Sequence, residues 1–118
     1  MKRELRLIIE DILISIRLIE EYVGKIPKEE FNNNQKLQDS VVRRLEIIGE
    51  AVKNIPDTFR EKYPEIQWKK ISGLRDIIIH AYFNIDLDLT WDIIKKDLPN
   101  LKKEIERIIS EMKALGKK

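Results

Sequence analysis

One short stretch of this chain gathers the side chains best suited to acid–base and phosphate chemistry. Arg75-Asp76-Ile77-Ile78-Ile79-His80-Ala81-Tyr82 contains the single histidine of the sequence, flanked by a guanidinium, a carboxylate and a phenol. Histidine, with an unperturbed pKa near ~6.5, suits proton transfer at neutral pH. Arginine is permanently charged and can grip a phosphate through two parallel hydrogen bonds. Cleavage of RNA by attack of a 2′-hydroxyl needs a base for that proton, an acid for the leaving oxygen and a cation for the charge building on phosphorus. Arg75 and His80 supply a cation and one proton carrier, so one chain is a proton carrier short.

The apolar spacing of Ile71, Leu74, Ile77, Ile78 and Tyr82 predicts that the motif lies on one helix. At about 100° per residue, Arg75 and Tyr82 would then share a face two turns apart, and Asp76 and His80 would touch as an i,i+4 pair. Arg75 and His80 would sit about 140° apart around the axis. Three arrangements reunite them. The arginine side chain curls back, the helix unwinds near His80, or a second copy of the chain completes the site. A two-fold dimer would also supply the second histidine.

The elements that must hold this motif are helical. Leu5, Ile8, Ile9, Ile12, Ile16, Ile19 and Val23 form one stripe at three- and four-residue steps, stopped by Gly24 and Pro27. A polar stretch over 28–38 follows, in which an asparagine can cap the next helix. Leu37, Val41, Leu45, Ile48, Val52 and Ile55 carry that helix to Pro56. Asp57 is placed to cap a short helix ending at Pro64. After the motif, Asn84 to Thr90 breaks the periodicity, with Asp86 and Asp88 suited to a turn and a cap. Trp91 to Met112 resumes it, with Pro99 either kinking the segment or marking the first turn of a new helix capped by Asp97. No strand-like alternation persists. The expected fold is all-α: a single domain over 1–118, an antiparallel four-helix-type bundle with one or two extra short helices, without a sheet and dimeric.

Composition removes whole classes of function. There are no cysteines, so no disulfide, thiol nucleophile or zinc–thiolate cluster, which suits a cytoplasmic protein. No leader is apparent, and no run approaches the ~18 uncharged apolar residues of a membrane span. Gly-rich phosphate loops and His-Glu-x-x-His pairs are absent, and no cofactor is implied. Charged residues make up 37% of the chain yet sum to a net +2, which describes a mostly mixed, solvated surface and is weak evidence for nucleic acid, since phosphate binding needs a clustered basic patch.

Arg-x4-His-x-Tyr near the end of a helix, in a helical domain of this size, resembles the HEPN superfamily. More narrowly it resembles the HepT-type toxins that pair with a minimal nucleotidyltransferase antitoxin. Glu46-Ile47-Ile48-Gly49-Glu50-Ala51 upstream and Trp68 before the motif are similar to that group as well, and the resemblance covers essentially the whole chain. It implies a metal-independent endoribonuclease acting as a homodimer on RNA, with Arg75 and His80 as the catalytic pair in a shared cleft and Asp76 supporting them. It further implies that Tyr82 accepts AMP from the nucleotidyltransferase, which silences the toxin.

Blander readings compete with each assignment. His80 as a surface residue, Arg75–Asp76 as a solvated charge pair and Tyr82 as core are the alternatives residue by residue. Asp76 and His80 have the spacing of two metal ligands, but no third is evident. Trp68 and Trp91 fit packing better than base stacking. Lys69, Lys70, Lys95, Lys96, Lys102 and Lys103 form either a weak RNA-facing patch or a solvated face. At the level of the whole protein, the alternative to a toxin endoribonuclease is a non-catalytic HEPN module that binds the nucleotidyltransferase or a nucleotide. A purely structural helical dimer would leave the polar motif unexplained.

Overall fold

The structure, a computed structural model, describes the backbone of residues 2–80 and 84–116 and the side chains of 4–79 and 84–116. Three long helical stretches build the core. They are α1 (Lys2–Val23), α3 (Gln35–Lys53) and a continuous run made of α7 (Leu87–Asp92), a π turn (Ile93–Asp97) and α8 (Leu98–Gly116). Short helices fill the connections: α2 (Lys28–Asn32), α4 (Asp57–Arg60), α5 (Trp68–Ser72) and α6 (Leu74–Ile78).

The expected stripe on α1 is the buried one, with Ile9, Ile12, Ile16, Ile19 and Val23 almost wholly enclosed. It packs on Val41, Leu45, Ile48 and Val52 of α3 and on Leu101, Ile105 and Ile108 of α8. Glu20 pairs with Lys102 and Arg17 with Glu106, so α1 and α8 run antiparallel. Gly24 takes φ +54°, the left-handed turn that ends α1. Asn34 caps α3, its side chain accepting from Leu37 N at 3.0 Å. Gln38 lashes α2 to α3 by donating to the carbonyls of Phe31 and Asn32. Asp86 caps α7 by accepting from Leu89 N.

Four expectations are corrected. The motif helix is not continuous: it pauses at Gly73, restarts as α6 and ends at Ile78. The bundle is not free of sheet, because β1 (Ile79–His80) pairs antiparallel with β2 (Asn84–Ile85), Ile79 opposite Ile85 and His80 opposite Asn84. The cause of both is local and tertiary together. Ile77, Ile78 and Ile79 are β-branched and favour extended backbone, and Asp86 N donates to the Ile78 carbonyl at 2.7 Å, a bond that fixes the returning chain there. Third, α4 follows Pro56 and has no side-chain cap; Asp57 lies in its first turn. Fourth, Pro99 does occupy the first turn of α8, one of its two expected places, but Asp97 ends a continuous π turn rather than capping a separate helix. Because proline cannot donate to the preceding turn, widening the ladder just before it relieves the conflict.

On the outer surface, Arg107 of α8 pairs with Glu65, with Glu104 at 2.7 Å and with Glu111 at 3.7 Å. Tyr63 donates its hydroxyl to Glu111 at 3.2 Å. Glu65 titrates below the ordinary glutamate value, first because of a hydrogen bond to its own backbone and then because of Arg107.

Candidate functional site

The site rests on contacts between the long helix α3 and two short helices, α5 before the motif and α6, which carries its first residues. Gly49 is buried on α3. A Cβ built there would lie 3.2 Å from both the Ile71 and Ser72 carbonyl oxygens, so the absent side chain is what lets α5 end directly against α3. Trp68 anchors the other end of α5. Its ring is buried, and its indole N–H donates to the Arg60 and Tyr63 carbonyls at 3.2 and 3.1 Å. Packing thus accounts for Trp68. Trp91 packs against Phe31 at 5.4 Å between centroids and carries Lys95 over its ring.

From that platform α6 inserts Leu74 and Ile78, one turn apart, into the core. Arg75, Asp76 and Ile77 consequently face outward. Arg75 does not simply dangle: its Nε lies 3.3 Å from Glu46 Oε2 on α3, with the two side chains 47% and 31% exposed. The contact uses the Nε side of the guanidinium. Its two terminal nitrogens form an edge suited to a doubly hydrogen-bonded phosphate.

Of the four residues singled out from sequence, Arg75 and Asp76 lie together on α6. His80 is placed by its backbone in β1, two residues beyond the helix; its side chain lies outside the described residues, as does Tyr82 entirely. The helical i,i+4 pairing of Asp76 with His80 therefore does not apply, and the 140° separation loses its basis. Of the three arrangements that sequence left open, the backbone shows the helix ending before His80; the position of the His80 side chain relative to Arg75 lies outside the described residues.

Glu46 was legible only as part of a similar segment, with no role attached to it. One signal was present: Glu46 and Gly49, three residues apart, share a face of α3. Among the described residues no group of three or more acidic, histidine or cysteine side chains is arranged to hold a metal ion. Asp88 pairs with Lys28 at 2.8 Å, and Asp86 serves as the α7 cap. Three lysines of the suspected basic patch sit in ion pairs: Lys70 with Asp97, Lys96 with Asp92 and Lys102 with Glu20. No helix among the described residues is long and apolar enough to cross a membrane.

Comparison with known proteins bears on the whole chain. The family described as "Ribonuclease HepT-like" matches residues 12–108. A Methanocaldococcus jannaschii protein named "Gamma-glutamylcyclotransferase and putative RNase" is 49% identical over 112 residues, which are 95% of this chain. The chain spans 50% of that relative's length. "Probable ribonuclease HepT" of Thermococcus cleftensis is 45% identical over 108 residues, covering 92% of this chain and 98% of that protein. No solved structure matches.

Proposed function

The chain belongs to the HepT-like ribonucleases, and on that premise we propose that it is a metal-independent endoribonuclease whose catalytic pair is Arg75 and His80. The observation that carries this reading is Arg75 itself. It is a half-exposed guanidinium, tethered on one side by Glu46 and five residues before the only histidine of the chain.

The chemistry follows from the side chains. A histidine takes the 2′-hydroxyl proton as that oxygen attacks phosphorus, the bond to the 5′-oxygen breaks, and a proton returns to the leaving oxygen. The products are a 2′,3′-cyclic phosphate and a free 5′-hydroxyl. Arg75 stabilises the negative charge on the phosphoryl oxygens. Since one histidine cannot hold a proton and accept one at once, a homodimer contributing His80 twice is the economical arrangement. Asp76, exposed on α6, would support the electrostatics of the pair.

Regulation is proposed to follow the toxin–antitoxin pattern in the cytoplasm. A minimal nucleotidyltransferase would transfer AMP from ATP to the Tyr82 hydroxyl, releasing pyrophosphate. The added phosphate would bring negative charge into the same short motif as the cation meant for RNA.

His80→Ala and Arg75→Ala test the catalytic claim. Proton transfer typically contributes ~10²–10⁴-fold, and loss of one charge-stabilising contact about 10²–10³-fold. Each variant should lose cleavage on that scale with its circular dichroism unchanged, and excess EDTA should not affect the wild type. Mixing the two inactive variants should restore part of the activity if the site spans two copies. Undiminished cleavage by His80→Ala would exclude the enzyme reading and leave the binding module.

A further inference from the structure

We propose that Glu46 is the positioning residue of Arg75: it holds the guanidinium by its Nε side and leaves the terminal nitrogens facing the RNA phosphate. The inference rests on the reading of Arg75 as the phosphate-binding cation.

The two residues are 29 positions apart in sequence and come from elements of unequal rigidity. Glu46 stands on a 19-residue helix anchored by seven buried residues. Arg75 stands on a five-residue helix that begins after a glycine and gives way at once to extended backbone. A helix so short has no stability of its own and takes its position from what it packs on. Leu74 and Ile78 fix one face of it. The face that carries Arg75 is solvent-exposed, and the Glu46 carboxylate 3.3 Å from Nε is the contact that orients the side chain there. Gly49, one turn along the same face of α3, sets the distance at which the end of α5, just before α6, meets that helix. The ion pair biases an otherwise free arginine side chain toward this orientation.

A carboxylate in this place has two opposing effects. It orients the guanidinium, which favours the transition state. It also offers the guanidinium a competing anion, which weakens binding of the ground-state phosphate. Removing it should therefore separate the two kinetic constants. In Glu46→Ala, kcat should fall about tenfold or more, since small misplacements of a catalytic group are costly, while KM stays level or falls. A residue that merely supported the fold would lower the melting temperature without this split.

The experiment measures steady-state cleavage of a labelled oligoribonucleotide by the full-length wild type, Glu46→Ala and Glu46→Gln. It is paired with the Arg75 Nε–H resonance, assigned by its disappearance in Arg75→Ala. The wild-type resonance should be slow to exchange with water and should exchange faster in both Glu46 variants. Glu46→Gln keeps the length and shape of the side chain and loses its charge. It should change kcat, KM and exchange in the same directions, so the question stays decidable even if the alanine variant is unstable. An unchanged kcat, a raised KM with kcat intact, or a lost kcat with unaltered Nε–H exchange would each overturn the proposal. If Arg75→Ala abolishes cleavage and the Glu46 variants do not weaken it, the positioning role alone has failed. If Arg75→Ala retains cleavage, the underlying reading has failed.

Discussion

A methyl group added at Gly49 would strike two backbone carbonyls at once. The Cβ of Gly49→Ala would stand 3.2 Å from the Ile71 and Ser72 oxygens, closer than such contacts normally come. Neither oxygen belongs to a side chain that could rotate away, so α5 itself must move by a few tenths of an ångström. Overpacking of this kind costs ~1–3 kcal/mol. Against it stands the gain from replacing glycine by alanine inside a helix, about 0.8–1 kcal/mol. The net expectation is a loss of about 1 kcal/mol, or roughly 4 °C in melting temperature for a chain of this length. Gly73→Ala is the matched control. Its Cβ would meet the Lys69 and Lys70 carbonyls at 3.6 and 3.9 Å, ordinary contact distances, and its φ of −100° suits alanine. That variant should melt within about 0.5 kcal/mol of the wild type. Displacement of α5 carries α6 with it, so Gly49→Ala should also cleave RNA several-fold more slowly while Gly73→Ala does not. Thermal denaturation and cleavage assays on the three proteins suffice. A Gly49→Ala protein that melts at or above the wild type would refute the argument that this glycine is a spacing device.

Intact-mass analysis after incubation with a partner nucleotidyltransferase and ATP should show one added AMP, absent in Tyr82→Phe; modification that survives the substitution would place the acceptor elsewhere. Asn34→Ala removes the cap of α3 and should cost about 1 kcal/mol in denaturant titrations; no loss would mean that the cap contributes nothing. Glu65 has a folded-state pKa below its ordinary value of 4.5, so its contribution is present above that pH and disappears as pH falls through the lower folded value. Melting curves of wild type and Glu65→Gln should therefore differ near pH 6 and converge in acid; a gap that widens on acidification would contradict the assignment.

Sequence periodicity was sufficient wherever the chain folds by local rules. Ile9 to Val23 and Val41 to Val52 bury the stripes their spacing announces, and Gly24, Asn34 and Asp86 do at the helix ends what their side chains favour. It failed at Ile78 because Ile71, Leu74 and Ile78 fit a single helix equally well whether or not it continues. What marks the boundary there is Asp86 N, eight residues further on, donating to the Ile78 carbonyl. The π turn was hidden for a related reason: a wide turn obeys no spacing that apolar residues alone can report. In the candidate site, the motif was legible as residue types, and Arg75 lies exposed as chemistry would want. The tether from Glu46 was not legible, since it joins helices 29 residues apart and only the packing around Gly49 brings them together.

The π turn at Ile93–Asp97 also bears on how this chain tolerates changes in length. Elsewhere in a helix, one residue gained or lost rotates everything downstream by about 100° and carries the apolar stripe out of the core. A π turn already holds one residue more than the α turn it replaces. Deleting Lys95 or Lys96, both exposed, would let the ladder close as ordinary α-helix, with Ile93 before it and Leu98 after it still directed inward. The segment is therefore the one stretch of the long C-terminal helix where a single-codon deletion leaves the registration of both flanks intact.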